Sequence, residues 1–211
     1  MSYILYGDKG SGAFSAEAVL AEAGAPYEFK LVSLEKNEQR EPSFLAINPS
    51  GKMPALRLPE GAIVTESLGI LLTLADHFPN ARLLPPQAGP MRTQAYRWLA
   101  FMASEIYPMV EISDYPDRFV EPGDQAKALR EKARTRIRER LLIVERMVDG
   151  PWFLKTGFSI VDIYAAMFSR WKGSIGKAWL AEGHIPKLQK LALAVAQRPA
   201  IAPVWQRHFG E

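Results

Sequence analysis

The two parts of this sequence follow different hydrophobic patterns, and that contrast limits the available folds more than any other feature. Over roughly the first 80 residues, short apolar runs of strand length alternate with helical stripes, whereas later apolar positions recur with helical spacing. The predicted order of the first part is β-α-β-α-β-β-α. Because a strand-helix-strand unit joins parallel strands, this order predicts a parallel pair within a mixed sheet.

A segment that contains three prolines and a glycine separates the two patterns. This composition is typical of a linker between compact regions. We therefore predict an α/β domain over residues 1–80, a linker over residues 81–90 and an all-helical domain over residues 91–211.

The composition excludes several kinds of chemistry. The sequence has no cysteine, which excludes disulfides, thiolate metal sites and a cysteine nucleophile. Its three histidines lack the spacing of metal ligands, so no metal is predicted. A formal net charge of +3 does not favour a nucleic acid or a membrane surface as partner. With neither a membrane span nor a signal segment in the sequence, we expect a soluble, cytoplasmic protein.

Two polar patterns in the second part are interpreted as structural. Arg130, Arg134 and Arg138 lie on one helical face with glutamates interleaved, which favours a solvated face over a nucleic-acid patch. Ser159, followed three residues later by Asp162, has the pattern of a capping box and predicts the start of a helix.

Three polar clusters lie where the first part turns between strand and helix. The glycine-rich segment 7–12 places Ser11 near the start of the first helix, where free amides favour an anion, although Ser11 could simply cap that helix. Residues 48–56 bring Pro54 into a strand, a position that proline occupies only at edges or irregular sites. Residues 65–67, Thr-Glu-Ser, enter the third helix and could hold a carboxylate or only cap the helix.

Together these clusters resemble the glutathione-binding half of the glutathione S-transferase family. Residues 48–56 read Asn-Pro-Ser-Gly-Lys-Met-Pro-Ala-Leu, and with the Thr-Glu-Ser that follows they are similar to the family pattern NPxGxVPxL … ES. The local sequence is similar to bacterial, beta-like members. The resemblance implies a thioredoxin-like N-terminal domain, an all-α C-terminal domain, a homodimer, and transfer of glutathione to small hydrophobic electrophiles.

The resemblance also assigns the glutathione-binding residues. It implies a cis bond between Met53 and Pro54, with the Met53 backbone pairing with the cysteinyl part of glutathione like an added strand. Ser67 is implied to take the γ-glutamyl carboxylate, and Glu66 to contact the ammonium group. Lys52 is implied to reach the glycyl end.

Further contacts are implied outside this set. Lys36 is a second candidate for the glycyl end. The helix carrying Ser104 and Glu105 is implied to reach glutathione across a dimer interface. Helix geometry permits this contact, since Ala100, Ser104, Tyr107 and Glu111 share a face of a regular helix. Several aromatic residues are predicted either to line an electrophile pocket or to pack in a core: Phe14, Tyr107, Tyr115 and Trp171.

Two hydroxyl groups are candidates for ionising the glutathione thiol. Ser11 corresponds to the serine-containing loop of some classes, and Tyr6 lies at the end of the first strand, where other classes carry a tyrosine. Gly10 and Gly12 replace the serine or cysteine found in relatives, so a non-catalytic ligand-binding or protein-interaction module is an alternative. A glutathione-dependent isomerase or peroxidase is a third reading, although this loop keeps only one serine of the isomerase pattern.

Overall fold

The structure is a computed structural model, which describes residues 2–87 and 89–210. The strands are β1 (Tyr3–Gly7), β2 (Tyr27–Leu31), β3 (Ala55–Arg57) and β4 (Ile63–Thr65). The helices are α1 (Ala13–Glu22), α2 (Pro42–Leu45), α3 (Ser67–His77), α4 (Pro90–Phe101), α5 (Tyr107–Asp114), α6 (Asp124–Met147), α7 (Ile160–Arg170), α8 (Lys172–Ile175), α9 (Lys177–Ala181), α10 (Pro186–Ala196) and α11 (Ala202–Phe209).

Contacts divide the chain into two compact units. The first unit holds the chain up to Leu84 together with the segment from Val195 onward, and the second holds the chain between them. The predicted domain of residues 91–211 differs from this division, because its last segment belongs with the sheet. Ala88 of the predicted linker lies outside the described residues.

The strands form one mixed sheet in the order β2-β1-β3-β4. β1 pairs parallel with β2 and antiparallel with β3, and β4 pairs antiparallel with β3. The predicted element order and parallel pair are thereby confirmed. Between β3 and β4, Leu58 donates its amide to the carbonyl of Ala62 at 2.8 Å, and the turn contains Gly61 with a φ of 101°.

The two faces of the sheet carry different partners. On one face, Tyr6 packs in a buried cluster with Val32, Phe44 and Ala55. Neighbours of these residues along each strand, such as the fully buried Leu5, point to the opposite face, where α1 and α3 pack. This alternation is why a strand only five residues long contributes to two cores.

The C-terminal helix α11 packs on α1 within the first unit. Phe14 of α1 is fully buried, and its ring centroid lies 5.4 Å from that of Trp205 and 4.9 Å from that of Phe209. The prediction that Phe14 lines a pocket is therefore wrong, and the core-packing alternative is confirmed for this residue.

A predicted capping box starts α7 in the second unit and is confirmed. The hydroxyl of Ser159 accepts from the amide of Val161, and the Asp162 carboxylate accepts from the Ser159 amide at 2.8 Å. The same carboxylate accepts from the Phe153 amide at 2.6 Å and is fully buried. Burial raises the pKa of Asp162 to about 6, although these hydrogen bonds oppose the shift.

The arginines at positions 130, 134 and 138 do not form the predicted solvated face. Each donates to a backbone carbonyl near the C-terminal end of α5 or in α8, where helical carbonyls lack a partner within the helix. The acceptors are the carbonyls of Ser113, Gly173 and Ile175, at 2.9, 3.0 and 2.8 Å. These arginines therefore join α6 to its neighbours.

Candidate functional site

The sheet register brings the three polar clusters to one edge. Tyr6 of β1 pairs with Ala55 of β3, which in turn pairs with Thr65 of β4. Because β3 runs opposite to β1 and β4, the end of β1, the start of β3 and the end of β4 meet at this edge. The loop before α1, the segment before β3 and the start of α3 therefore lie side by side, and we call this region the sheet edge.

The loop before α1 is held in place by its own polar groups. Gly7 admits no side chain, since a Cβ there would lie 2.2 Å from the Cβ of Ala13. The Asp8 carboxylate accepts from the Leu34 amide at 2.7 Å. The Ser11 hydroxyl donates to the Asp8 carbonyl at 2.7 Å and accepts from the Ala13 amide at 3.2 Å. Ser11 is half-buried, and its hydroxyl satisfies the first amide of α1 from a position just before the N-cap residue Gly12.

Two backbone amides lie close to Ser11, and only one of them donates a hydrogen bond within this loop. The amide of Asp8 is directed at the Ser11 hydroxyl at 3.3 Å. Among residues 2–87 and 89–210, by contrast, the Gly12 amide has no hydrogen-bond acceptor. An anion at this point would thus meet one uncommitted backbone donor at the start of α1 and one hydroxyl able to rotate toward it.

Tyr6 occupies the core rather than the loop. Its residue is only 6% exposed, its ring lies edge-on to Phe44 at 6.4 Å, and Lys30 and Arg57 flank it at 5.8 and 6.0 Å. The ring is thus fixed by packing on the α2 side of the sheet.

The segment before β3 is shaped by a buried asparagine. The Asn48 side chain donates to the Lys52 carbonyl at 2.6 Å and accepts from the Ser50 hydroxyl at 2.9 Å. The Met53–Pro54 bond that follows is cis, as the family resemblance implied. Met53 itself packs against the Tyr6 cluster, so its backbone is anchored where the chain enters β3.

The start of α3 has an unusual backbone conformation. Glu66 precedes the helix with a φ of 63° and a ψ of 117°, and no side chain caps the helix at this residue. A residue with a Cβ is rarely found at positive φ, where it costs of the order of 1–3 kcal/mol. Ser67, the first helical residue, is buried. The amides and hydroxyl at this helix start, together with the positive end of the helix dipole, suit a carboxylate.

The lysine candidates border the same region. The Lys52 and Lys36 side chains are both exposed. Lys36 follows β2, whose C-terminal end lies at the sheet edge because β2 runs parallel to β1. Its amide donates to the Ser33 hydroxyl at 3.2 Å, which fixes the backbone of this turn.

The candidates of the second unit lie around an interruption between α4 and α5. Residues 102–106 form a π-helical turn. Pro108 has no N–H to donate to the carbonyl of Ser104, and its ring crowds that carbonyl, which favours the wider turn. Ser104 is exposed, whereas Tyr107 packs edge-on against the buried Phe168, 5.5 Å between centroids. The predicted common face is therefore not continuous.

The other two aromatic candidates and Glu105 also have partners in this unit. Trp171 packs edge-on against Tyr107 at 5.3 Å, and the half-exposed Tyr115 ring carries the Arg118 guanidinium at 3.9 Å. Glu105 accepts from Arg140 at 2.9 Å. Glu105, which lies on the helix that the resemblance implies to cross a dimer interface, is thus paired within its own chain.

Sequence reasoning missed a buried pair that joins α11 to the loop before α1. His208 Nδ1 accepts the Gly10 amide at 3.1 Å, and its Nε2 lies 2.7 Å from the Glu17 carboxylate. The residues are 198 and 191 positions apart, so no local spacing could have paired them. The helical stripe of Val204, Trp205 and His208 was the one available signal that α11 buries this face.

Two kinds of feature are absent from the residues that the structure describes. In residues 2–87 and 89–210, no group of three or more histidine, aspartate or glutamate side chains is arranged to hold a metal ion. Within the same residues, no helix combines the length and apolar character needed to cross a membrane.

Comparisons with known proteins agree with this geometry. A family model described as the glutathione S-transferase N-terminal domain matches residues 13–77. Glutathione S-transferase GstA of Escherichia coli O157:H7 is 29% identical over 202 residues, which cover 94% of this chain and 93% of that protein.

Solved structures match over almost the whole chain. A glutathione transferase homologue from Sulfitobacter, crystallised with bound glutathione, has a TM-score of 0.88 at 25% identity and covers 99% of both chains. A bacterial beta class glutathione S-transferase from Sphingomonas chungbukensis has a TM-score of 0.78 at 29% identity, covering 96% of this chain and 97% of that one.

The fold and the sheet edge define a class of protein in which a thioredoxin-like mixed sheet is followed by a helical region. Within that class, the matched domain and the bacterial relatives identify one family. This chain belongs to the glutathione S-transferase family, as the sequence resemblance predicted.

Proposed function

We propose that this protein is a glutathione transferase that binds glutathione along the sheet edge and joins its thiolate to small hydrophobic electrophiles. The observation that carries the proposal is the register of Tyr6, Ala55 and Thr65, which aligns the three polar clusters. The start of α3 would bind the γ-glutamyl end, the segment before β3 the cysteinyl backbone and the glycyl end, and the loop before α1 the thiolate.

The start of α3 would bind the γ-glutamyl end. Ser67 and the first amides of the helix would take the carboxylate, where the dipole favours negative charge. Glu66 would contact the ammonium group. The positive φ of Glu66 supports this assignment, because strained residues persist where the surrounding structure or a ligand requires their position.

The segment before β3 would bind the middle of the tripeptide. The backbone of Met53 would pair with the cysteinyl residue as an added strand, which gives affinity through main-chain hydrogen bonds. The anchoring by Asn48 and the packing of Met53 support this role, since they hold that backbone ready. Lys52, with Lys36 as second candidate, would attract the glycyl carboxylate.

Ser11 would stabilise the thiolate. A thiol with a pKa of about 8.5 needs roughly 2.7 kcal/mol of preferential stabilisation to lower that pKa by two units. A hydrogen bond to a charged group supplies about 1.5–3 kcal/mol, and a helix N-terminus adds about 0.3–1 kcal/mol. The Ser11 hydroxyl would turn its hydrogen from the Asp8 carbonyl to the sulfur, beside the Gly12 amide.

The reaction would be nucleophilic attack by that thiolate. With an activated aryl halide, a carbon–sulfur bond forms and the halide leaves with its electron pair, so no external oxidant or reductant takes part. The sequence has no cysteine, and a mixed disulfide between enzyme and glutathione therefore has no protein sulfur to form on. Chemistry that depends on an enzyme thiol is accordingly disfavoured.

The proposal includes a cytoplasmic homodimer in which Ser104 reaches the glutathione bound by a second copy. The exposure of Ser104 in the π-helical turn supports this role, because π-turns widen a helix and are frequent at functional sites. Tyr107 would border the electrophile. Sedimentation velocity tests the assembly, and a monomer at micromolar concentration would remove the contribution of Ser104.

The decisive experiment measures binding and turnover separately. Calorimetry with millimolar glutathione tests the site, and conjugation of an activated aryl halide tests the chemistry. We expect Ser11→Ala to lose conjugation by about 100-fold while it retains glutathione, in line with loss of one charged hydrogen bond. Tyr6→Phe is the matched variant, and it should keep conjugation because the Tyr6 ring packs in the core.

The outcomes separate the competing functions. Absence of glutathione binding in the wild-type protein would remove the proposal. Binding without turnover over a broad panel of electrophiles would favour the non-catalytic module. Turnover of a maleyl-type cis double bond, with no conjugation, would favour the isomerase.

A further inference from the structure

The inference concerns His208 of α11, whose ring lies between two partners, the half-buried Gly10 and the fully buried Glu17. Because Nδ1 accepts the Gly10 amide at 3.1 Å, the ring hydrogen lies on Nε2. That hydrogen is directed at the Glu17 carboxylate, 2.7 Å away. One ring thus links the loop before α1 to the body of α1.

The Glu17 carboxylate fixes the direction of the ring. It is fully buried and also accepts from the Tyr27 hydroxyl at 2.9 Å and from the Arg207 guanidinium. A flipped ring would place carbon atoms opposite both the Gly10 amide and the Glu17 carboxylate, and both of these hydrogen bonds would be lost. The observed orientation is preferred, because the fully buried Glu17 carboxylate would otherwise lose one of its donors.

The surroundings of His208 keep its ring neutral. It lies edge-on to Phe14 at 5.6 Å and to Phe29 at 5.8 Å. Burial, and then the charge of Arg207, lower the pKa of His208 to about 4. Of the other charged groups nearby, Lys9 lowers this pKa and Asp8 raises it, while Glu17 receives the Nε2 hydrogen. Near neutral pH, Nδ1 therefore keeps the lone pair that Gly10 uses.

Gly10 is the residue directly before Ser11, and it has a φ of 69°, which an L side chain rarely adopts. Asp8 anchors the other side of the same turn through the Leu34 amide. The loop is therefore pinned at two points, one of which comes from the far end of the chain. Geometry of this kind matters, since a displacement of about 1 Å can cost a reaction roughly 100-fold.

We propose that His208 is a positioning residue for thiol activation: its Nδ1 holds Gly10 so that the Ser11 hydroxyl reaches the glutathione sulfur. The inference rests on the proposed function and deepens it, because it gives the C-terminal helix a role in the chemistry. His208 itself touches neither glutathione nor electrophile in this proposal.

Two substitutions separate the hydrogen bond at Nδ1 from the hydrogen bond at Nε2. In His208→Asn, the side-chain oxygen takes the place of Nδ1 and can accept from Gly10. In His208→Gln, the side-chain amide takes the place of Nε2 and can donate to Glu17. Both variants remove the ring, so the loss of packing is similar. They differ in which hydrogen bond remains, the one from Gly10 or the one to Glu17.

The measurements are the pH profile of kcat/KM and the split between kcat and KM. We expect H208Q to lower kcat about tenfold and to raise the pKa of the bound thiol by about one unit, with KM for glutathione changed less than twofold. H208N should keep the thiol pKa close to that of the wild type. In the S11A background, H208Q should cause no further loss of kcat.

Two results overturn the inference. One is an equal effect of H208N and H208Q that follows their thermal stability; the other is an unshifted thiol pKa in H208Q. An inactive wild-type protein would instead overturn the proposed function, and the catalytic part of this inference with it.

Nuclear magnetic resonance of the wild-type protein provides a readout that needs no folded variant. We expect the His208 nitrogen shifts to show hydrogen on Nε2, and a coupling across the hydrogen bond from the Gly10 amide to Nδ1. The opposite tautomer, or no such coupling, contradicts the inference.

Discussion

The starts of α3 and α7 use the same residue types, a serine and a carboxylate, in opposite ways. At α7, Ser159 and Asp162 bond to each other and to nearby amides, and both are buried. At α3, Glu66 stands at positive φ with no side chain capping the helix. A satisfied helix start stabilises the fold, whereas a strained, uncapped one at the sheet edge is suited to a ligand. Four predictions test this contrast, beginning with the largest effect.

Asp162→Ala should destabilise the protein by about 2–5 kcal/mol. The substitution leaves the buried amides of Phe153 and Ser159 without an acceptor, and each unpaired group costs about 1–3 kcal/mol. Denaturant unfolding followed by circular dichroism measures the loss. Glu66→Ala at the other helix is the control, and a comparable loss there would contradict the contrast.

The stability contribution of Asp162 should fall as pH rises from about 4 to about 6, and level off above that range. Its pKa is raised from 3.8 to about 6 in the folded protein. In this window the folded state therefore binds more protons than the unfolded state, and the free energy of unfolding decreases with pH. The full effect is about 3 kcal/mol for a shift of this size.

The comparison protein for this pH series is D162N, which cannot titrate at that position. The difference in unfolding free energy between wild type and D162N reports the titration of Asp162 alone, because His208 titrates in both proteins. The lowered pKa of His208, about 4 against an ordinary 6.5, acts in the opposite direction, since its stabilisation is lost as pH falls from about 6.5 to 4. A difference that stays constant across the range would show that Asp162 titrates normally.

Ser67→Ala should weaken glutathione binding about tenfold and change stability by less than about 1 kcal/mol, because a hydrogen bond to a charged carboxylate is worth at least about 1.5 kcal/mol. Ser159→Ala, the matched variant, should lose about 1 kcal/mol of stability as a missing cap does and leave glutathione affinity unchanged. Calorimetry and denaturant unfolding of both variants measure the two quantities. The contrast fails if the two serines behave alike.

Glu66→Gly should raise the unfolding free energy by about 1 kcal/mol. Relief of a positive φ returns about 1–3 kcal/mol, and the greater freedom of glycine in the unfolded chain takes back about 0.5–1 kcal/mol. The same variant should bind glutathione more weakly, since it lacks the carboxylate. Glu66→Ala separates the two effects, because alanine keeps the strained Cβ; a stability gain there as well would rule out strain.

Local patterns predicted the parts of the fold that short-range physics controls. The mixed sheet, the parallel pair and the capping box all depend on residues near one another in the chain. Pro108 was a visible signal for the interrupted helix, since a proline inside a helical pattern removes a donor, but it does not indicate by itself whether the chain kinks, stops or widens. The arginines of α6 carried no sign of the distant carbonyls that they bind.

The candidate site likewise has parts that the local sequence predicts and parts that depend on distant contacts. The motif from Asn48 to Ser67 identified the sheet edge, because its residues are close in sequence and their roles follow from turns and helix starts. By itself, the sequence determined the element types, the absence of cysteine chemistry and the family. Only the tertiary structure decided that Tyr6 is a core residue, that the last helix joins the first unit and that His208 holds Gly10. Contacts between distant parts of the chain depend on how whole elements pack, and no local spacing records that.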